Sequence, residues 1–183
     1  VEEYKKKHFS STHPVVGIQI RVFAQPVENG INRVIQNLAT CYTTTRDREQ
    51  WNKPIVFATA MVDNYIDELS SYLSQPVFHT PAPAFEARNV AHMRSVLIDI
   101  LLLGQCDQLI VTPWSSFGYL AVAFSRKYPY ILKGNMVYTS PNCLKLTTSE
   151  PCFFDHQHGA GKYFVDDTCD GRPPNNDTFI PSN

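Results

Sequence analysis

No apolar run in the 183 residues approaches the ~20 that a helix needs to cross a bilayer, so no membrane-spanning helix is expected. Basic charge is sparse. Apart from Lys5-Lys6-Lys7 there is no basic block, and the formal net charge is -1. Dedicated nucleic-acid binders usually carry a basic patch or stripe, so nucleic acid is not an expected partner. Paired Cys-x-x-Cys is missing, and the spacing from Cys143 to Cys152 does not fit a zinc module, so no metal site is expected. The first apolar run is not followed by Gly-x-Gly-x-x-Gly, and neither a Walker A pattern nor His-Glu-x-x-His occurs. A Gly-x-Ser-x-Gly elbow is also missing, and no convincing nucleophile stands out.

Apolar residues are plentiful, at 43% of the chain, which suits one well-cored domain or one large half of a two-domain enzyme. The sequence opens with neither Met nor a signal-like segment and reads as an excised or truncated piece. Of its five cysteines, Cys106 sits in an apolar helical stretch and is expected to be a buried thiol. Cys143, Cys152 and Cys169 fall in the loop-rich C-terminal third, where bridges are more common, and the pairing among these and Cys41 stays open. Together with the sequon Asn176-Asp177-Thr178, they lean toward a secretory compartment.

Strand-like and helix-like segments alternate. Val15 to Phe23, "VVGIQIRVF", is short and β-branched and predicts a buried strand. Ile31, Val34, Ile35, Leu38 and Tyr42 recur at helical spacing. Pro54 to Thr59 predicts a second strand, and Asp63 is placed to cap a helix with Ile66, Leu69, Tyr72 and Leu73 inside. A short extended piece at Val77-Phe78 leads through a Pro-rich loop to the longest helix, roughly Glu86 to Gln105. Its expected apolar face is Val90, Met93, Leu97, Ile100 and Leu101. A strand at "QLIVT", a helix from Phe117 to Lys127 and a strand at "PYIL" complete the series. The alternation predicts an α/β fold: a Rossmann-like parallel sheet with helices on both faces. The expected division is a domain over 1–134 and a loop-rich, cysteine-bearing extension over 135–183.

In open α/β sheets ligands bind beyond the carboxyl ends of the strands. Arg21 lies near the end of the first strand. It is either a strand-end arginine reaching solvent or a guanidinium aimed at a phosphate, whose oxygens suit its planar donor fork. Ser115 and Ser116 stand where the "QLIVT" strand gives way to a helix, and their N–H groups and hydroxyls could receive an anion. The plainer role of such a serine is a helix N-cap. Gly118, having no side chain, would let a ligand approach the backbone. Arg21 and the serine pair together could clamp a diphosphate. His92 and Asp99, seven residues apart, share a helix face. A carboxylate in "SVLIDILLL" is costly to bury alone. Asp99 is either a satisfied boundary side chain or an acceptor for paired N–H donors such as those of guanine.

"VVGIQIRVF", "VTPWSSFGYLAVAF" and "SEPCF", in this order from Val15 to Phe153, resemble the plant xyloglucan-type α1,2-fucosyltransferase family. The shared pieces are Gly17 to Phe23, Asp99 to Asp107, Trp114 to Tyr119, and Cys143 to Cys152 with Glu150-Pro151-Cys152-Phe153. The resemblance implies the nucleotide-binding C-terminal half of a GT-B-type glycosyltransferase that is inverting and metal-independent. It implies transfer of fucose from GDP-fucose to a glycan acceptor, α1,2 to galactose. It also implies a Golgi setting, with any membrane anchor in a segment outside this chain. Arg21 would then hold the β-phosphate and stabilise departing GDP, while Ser115, Ser116 and Phe117 would line the diphosphate and sugar pocket. Asp99 occupies the place of an acidic guanine contact in related fucosyltransferases, and Gln19 that of a base-neighbouring histidine. The alternatives are a GDP-sugar-binding fragment without catalysis and a relative of the α1,6- or protein O-fucosyltransferases. "FSRKYPYIL" lacks the glycine pair that follows this helix in the plant enzymes, and "DDTCDGRPPNNDTFIPSN" does not match their C-terminus. These departures bear on acceptor choice more than on donor choice.

Overall fold

The computed structural model describes residues 1–9, 12–21, 30–60, 62–81, 90–112, 115–132 and 143–145. It also describes the backbone of two short strands, β7 (Lys162–Phe164) and β8 (Phe179–Pro181), which pair antiparallel. At 30–32 and 144, too, only the backbone is described. Val22, Phe23, Trp114, Cys152, Cys169 and the sequon at Asn176 lie outside the described residues.

The chain runs α1 (Glu2–His8), β1 (Val15–Ile20), α2 (Gly30–Arg48), β2 (Ile55–Ala60), α3 (Asn64–Leu73) and β3 (Val77–Phe78). It continues with α4 (Val90–Gly104), β4 (Gln108–Val111), α5 (Ser116–Ser125), β5 (Tyr130–Leu132) and β6 (Cys143–Lys145). The main sheet has the order β3-β2-β1-β4-β5-β6. Its first five strands are parallel and β6 is an antiparallel edge. The central strands β1 and β4 are rich in β-branched residues, and both are buried at every position because helices cover both faces of the sheet there. Val16, Ile18, Ile20, Val56, Ala58, Ile110 and Tyr130 meet α2 and α3 on one face. Val15, Phe57, Leu109, Val111 and Ile131 meet α4 and α5 on the other. The strand order places β1 and β4 side by side at the centre, with their carboxyl ends on one rim.

Along α2, Val34, Ile35, Leu38 and Tyr42 are buried as the spacing predicts, and Cys41 joins them. Helix α4 differs from expectation. Val90, Met93 and Leu97 are 85%, 65% and 51% exposed, whereas Ile100, Leu102 and Leu103 are buried. From Val96 to Leu103 the sequence is apolar almost all round apart from Asp99, so spacing alone did not select the face. Packing against the small Gly17 did. A Cβ on Gly17 would lie 2.7 Å from Leu109 Cδ2, 2.8 Å from Cys106 Sγ and 3.0 Å from Leu103 Cδ2. Gly17→Ala should therefore destabilise the chain by about 1–3 kcal/mol, readable as a lower urea midpoint at unchanged slope.

Other differences are local. Tyr72 of α3 is exposed rather than inside. Asp63 stands at the N-cap of α3 but makes no side-chain cap bond, because its backbone is already helical there. Helix α1 was not expected from periodicity. Tertiary contact holds it: the Tyr4 ring packs edge-on against Phe57, and its hydroxyl donates to His79 O at 3.0 Å. Cys106 is free and buried as expected, and burial pushes its thiol pKa up. Cys41 and Cys143 form a disulfide that ties α2 to β6, so the sheet extends past residue 134.

Candidate functional site at the strand ends

The carboxyl ends of β1 and β4 are joined by one side chain. Thr112, just past β4 and fully buried, donates from Oγ1 to Gln19 Oε1 at 2.9 Å and accepts at the same oxygen from Arg21 N at 3.0 Å. Its own N–H is shared between Gln19 O and Gln19 Oε1, both at 3.3 Å. A hydroxyl both donates and accepts, which lets this one group set the height at which Arg21 leaves the sheet. Arg21 is half-buried and one residue beyond the strand.

Beyond β4 the chain enters α5. Ser115 is the N-cap, buried, with extended backbone, and its Oγ accepts from Gly118 N at 3.3 Å. The plain capping role therefore holds for Ser115. The hydroxyl satisfies one orphan amide of the first turn, and the remaining N-terminal N–H groups still end at the rim. Ser116 is exposed at the first helical position, and Phe117 is half-buried against the α4/α5 side of the core.

Gly118 has a use other than the one expected. It is buried, and a Cβ there would lie 2.9 Å from Gln19 Oε1 and 3.2 Å from Val111 Cβ. Its missing side chain is what allows α5 to seat on the sheet, so the space is filled from β1 and β4. Gln19 is likewise buried and engaged with Thr112, on the sheet face that α4 and α5 cover.

Asp99 lies apart from this cluster, on α4 beside the segment after β3. Its Oδ1 accepts a hydrogen bond from Thr80 Oγ1. Burial pushes its carboxyl up to about 6 from an ordinary 3.8, against the lowering effects of the Thr80 bond and of His79. In turn, the Tyr4 hydroxyl is pushed up to about 12, first by burial and then by Asp99. His92, two turns earlier on α4, is half-buried.

Asp107, the last residue of the shared Asp99–Asp107 stretch, is at the opposite rim. Its Oδ2 accepts from Val15 N at 2.8 Å, and its own N donates to Val15 O at 2.7 Å, which pins the start of β1. Among the described residues, no group of three His, Cys, Asp or Glu is placed to hold a metal ion. Sequence reading gave no site role to Thr112, just past the end of β4, or to Thr59, the last residue but one of β2. The readable signal was a threonine closing both "PIVFAT" and "QLIVT".

A family profile described as xyloglucan fucosyltransferase matches residues 56–158, more than half of the chain. The chain belongs to the xyloglucan fucosyltransferase family. Within that family, Fucosyltransferase 2 of Arabidopsis thaliana is 24% identical over 181 residues, covering 84% of this chain and 33% of that protein. Galactoside 2-alpha-L-fucosyltransferase of the same organism is 25% identical over 178 residues, covering 84% and 32% respectively. This family member thus spans about a third of the length of the curated relatives it matches.

Among solved structures, a mutant of Arabidopsis thaliana FUT1 in complex with GDP superposes with a TM-score of 0.61 at 23% identity. It covers 82% of this chain and 37% of its own. NodZ α-1,6-fucosyltransferase soaked with GDP-fucose superposes with a TM-score of 0.55 at 20% identity, covering 79% and 46%. At these identities the likeness establishes the α/β fold that this xyloglucan fucosyltransferase family member shares with both.

Proposed function

We propose that this chain is the donor-binding part of a fucosyltransferase that moves fucose from GDP-fucose to a glycan hydroxyl, α1,2 to galactose, with inversion. The observation that carries the reading is the Thr112 junction. It brings the Arg21 backbone and the N-terminus of α5 to adjacent parallel strand ends in a member of this family. The central rim of an open parallel sheet is where nucleotides bind in this architecture. A FUT1 structure of the same fold is a complex with GDP, and a NodZ structure was soaked with GDP-fucose.

In this reading, Arg21 and the free N–H groups opening α5 receive the diphosphate, and their fixed charge and dipole oppose the negative charge that grows on GDP as the glycosidic bond breaks. Ser116 and Phe117 face the phosphate and sugar. Ser115, Gly118 and Gln19 act beneath them by setting the position of the helix. Asp99 accepts the N–H donors of guanine. The acceptor and the general base belong to the remainder of a protein of the relatives' length. The Cys41–Cys143 bridge supports folding in an oxidising compartment such as the Golgi lumen.

Calorimetric titration with GDP-fucose, GDP-mannose and UDP-galactose, on the chain and on Arg21→Ala, tests the donor reading. Guanine ligands should bind the parent chain in preference to the uridine ligand, and the variant should lose roughly 100-fold in affinity, as for loss of a charged phosphate contact. Equal binding of GDP-fucose by Arg21→Ala would overturn the assignment of that residue.

A further inference from the structure

Two polar side chains, Gln19 and Thr59, stand level on the α4/α5 face of the sheet near the carboxyl ends of its strands. Gln19 of β1 pairs in register with Thr59 of β2 on one side and with Val111 of β4 on the other. Thr80 follows β3 by two residues, and Phe78 of β3 pairs with Phe57 of β2, two residues before Thr59. Thr80 is bound to Asp99, and Gln19 is bound to Thr112. Between them, Thr59 is 6% exposed and its Oγ1 has no hydrogen-bond partner among the described residues. A buried hydroxyl left unpaired costs free energy, and nearly all such groups in folded proteins are satisfied by protein, water or ligand.

We propose that the Thr59 hydroxyl is a hydrogen-bonding contact for the guanine base of the bound nucleotide. This rests on the donor reading given above. The assignment to the base, not the diphosphate, follows from position. The phosphate groups of that reading sit at the ends of β1 and β4, whereas Thr59 is on β2, on the far side of β1 from α5 and toward Asp99. A hydroxyl that donates and accepts can meet either kind of atom on the edge of a purine, next to a carboxylate that only accepts. Thr59 would then help to select the base, and Arg21 would hold what every nucleoside diphosphate shares.

The test is calorimetry of the chain with GDP and with inorganic pyrophosphate, on the parent, Thr59→Val, Thr59→Ser and Arg21→Ala, with a melting curve for each without ligand. Valine keeps the shape and removes the hydroxyl. Thr59→Val should weaken GDP about 3- to 10-fold, the range for one neutral hydrogen bond, and leave pyrophosphate unchanged. Thr59→Ser should stay within about twofold of the parent. The ligand-free melting temperature of Thr59→Val should not fall, because an unsatisfied group has been removed.

Parent-like GDP affinity in Thr59→Val overturns the proposal. So does equal weakening of GDP and pyrophosphate. A lowered melting temperature with unchanged GDP affinity would mean that Thr59 holds a structural water, which overturns it as well. In each of these cases the parent still binds GDP and the donor reading stands. A parent chain that binds no GDP overturns the donor reading, and this inference falls with it.

Discussion

Full reduction of the Cys41–Cys143 bridge should lower the melting temperature by roughly 10–20 °C. The two cysteines are 102 residues apart in sequence, with their Cα atoms 5.3 Å apart, so the bond closes a long loop that runs from the second half of α2 through β2 and β5 to β6. In the chain-entropy picture, a loop of this size stabilises the fold by about 4.7 kcal/mol through the unfolded state. For a chain of this length each kcal/mol moves the midpoint by roughly 2–4 °C. The bridge also acts on the native side, since it holds β6, an antiparallel edge of three residues, against α2. The same seam carries only modest polar ties: Glu49 accepts from Lys145 at 2.9 Å and from Tyr130 at 3.2 Å. Lys145 and Glu49 are a largely solvent-screened pair and contribute little beside the covalent link. Melting with and without reductant, and of a Cys41→Ala/Cys143→Ala double variant, measures the effect. Coincident curves would show that β6 unfolds independently of the rest.

Asp99→Asn should make the chain more stable and a poorer nucleotide binder at the same time. The folded protein holds the Asp99 proton up to about 6, above its ordinary 3.8, because burial disfavours the carboxylate. A raised folded pKa means that the favourable contribution of Asp99 is fully present below about pH 4. It is lost as pH rises through about 6. At pH 7.5 the ionised group therefore opposes folding by about 2–3 kcal/mol. Asparagine keeps an oxygen that can accept from Thr80 and removes the charge. Thermal melts should show a gain of that order at pH 7.5 that shrinks toward pH 4. If Asp99 accepts guanine N–H donors, the same variant should lose GDP affinity at pH 7.5. The parent should lose it on acidification through about pH 6. A variant that gains stability with GDP binding unchanged would make Asp99 a boundary side chain and no more. Burial that costs stability and repays it in binding is the arrangement expected of a functional carboxylate.

The five parallel strands, their order of appearance and the helices between them were legible in the sequence. Runs such as "VVGIQI", "PIVFAT" and "QLIV" are apolar and β-branched over strand length, and only burial on both faces suits them. So was the position of the candidate residues relative to the strands. Arg21 and the serine pair each follow a strand, and a parallel sheet sends all its strand ends to one rim. Family membership was legible as well, since contiguous motifs carry it, and the family match over residues 56–158 takes in the stretch from Trp114 to Tyr119 after β4.

Tertiary structure alone decided what requires two distant segments to meet. The buried face of α4 was set by the gap at Gly17, because an all-round apolar helix carries no preference of its own. Gly118 was claimed by Gln19 and Val111 through packing that local spacing does not encode, whereas the Ser115 cap on the amide three residues on is local and was legible. Cys41 found Cys143 across the sheet edge, and α1 found Phe57 and His79, through long-range contact. Thr59 and Thr112 look alike as strand-end threonines. Thr112 is satisfied by Gln19 and Thr59 is not, a difference that arises only once the sheet has assembled around them.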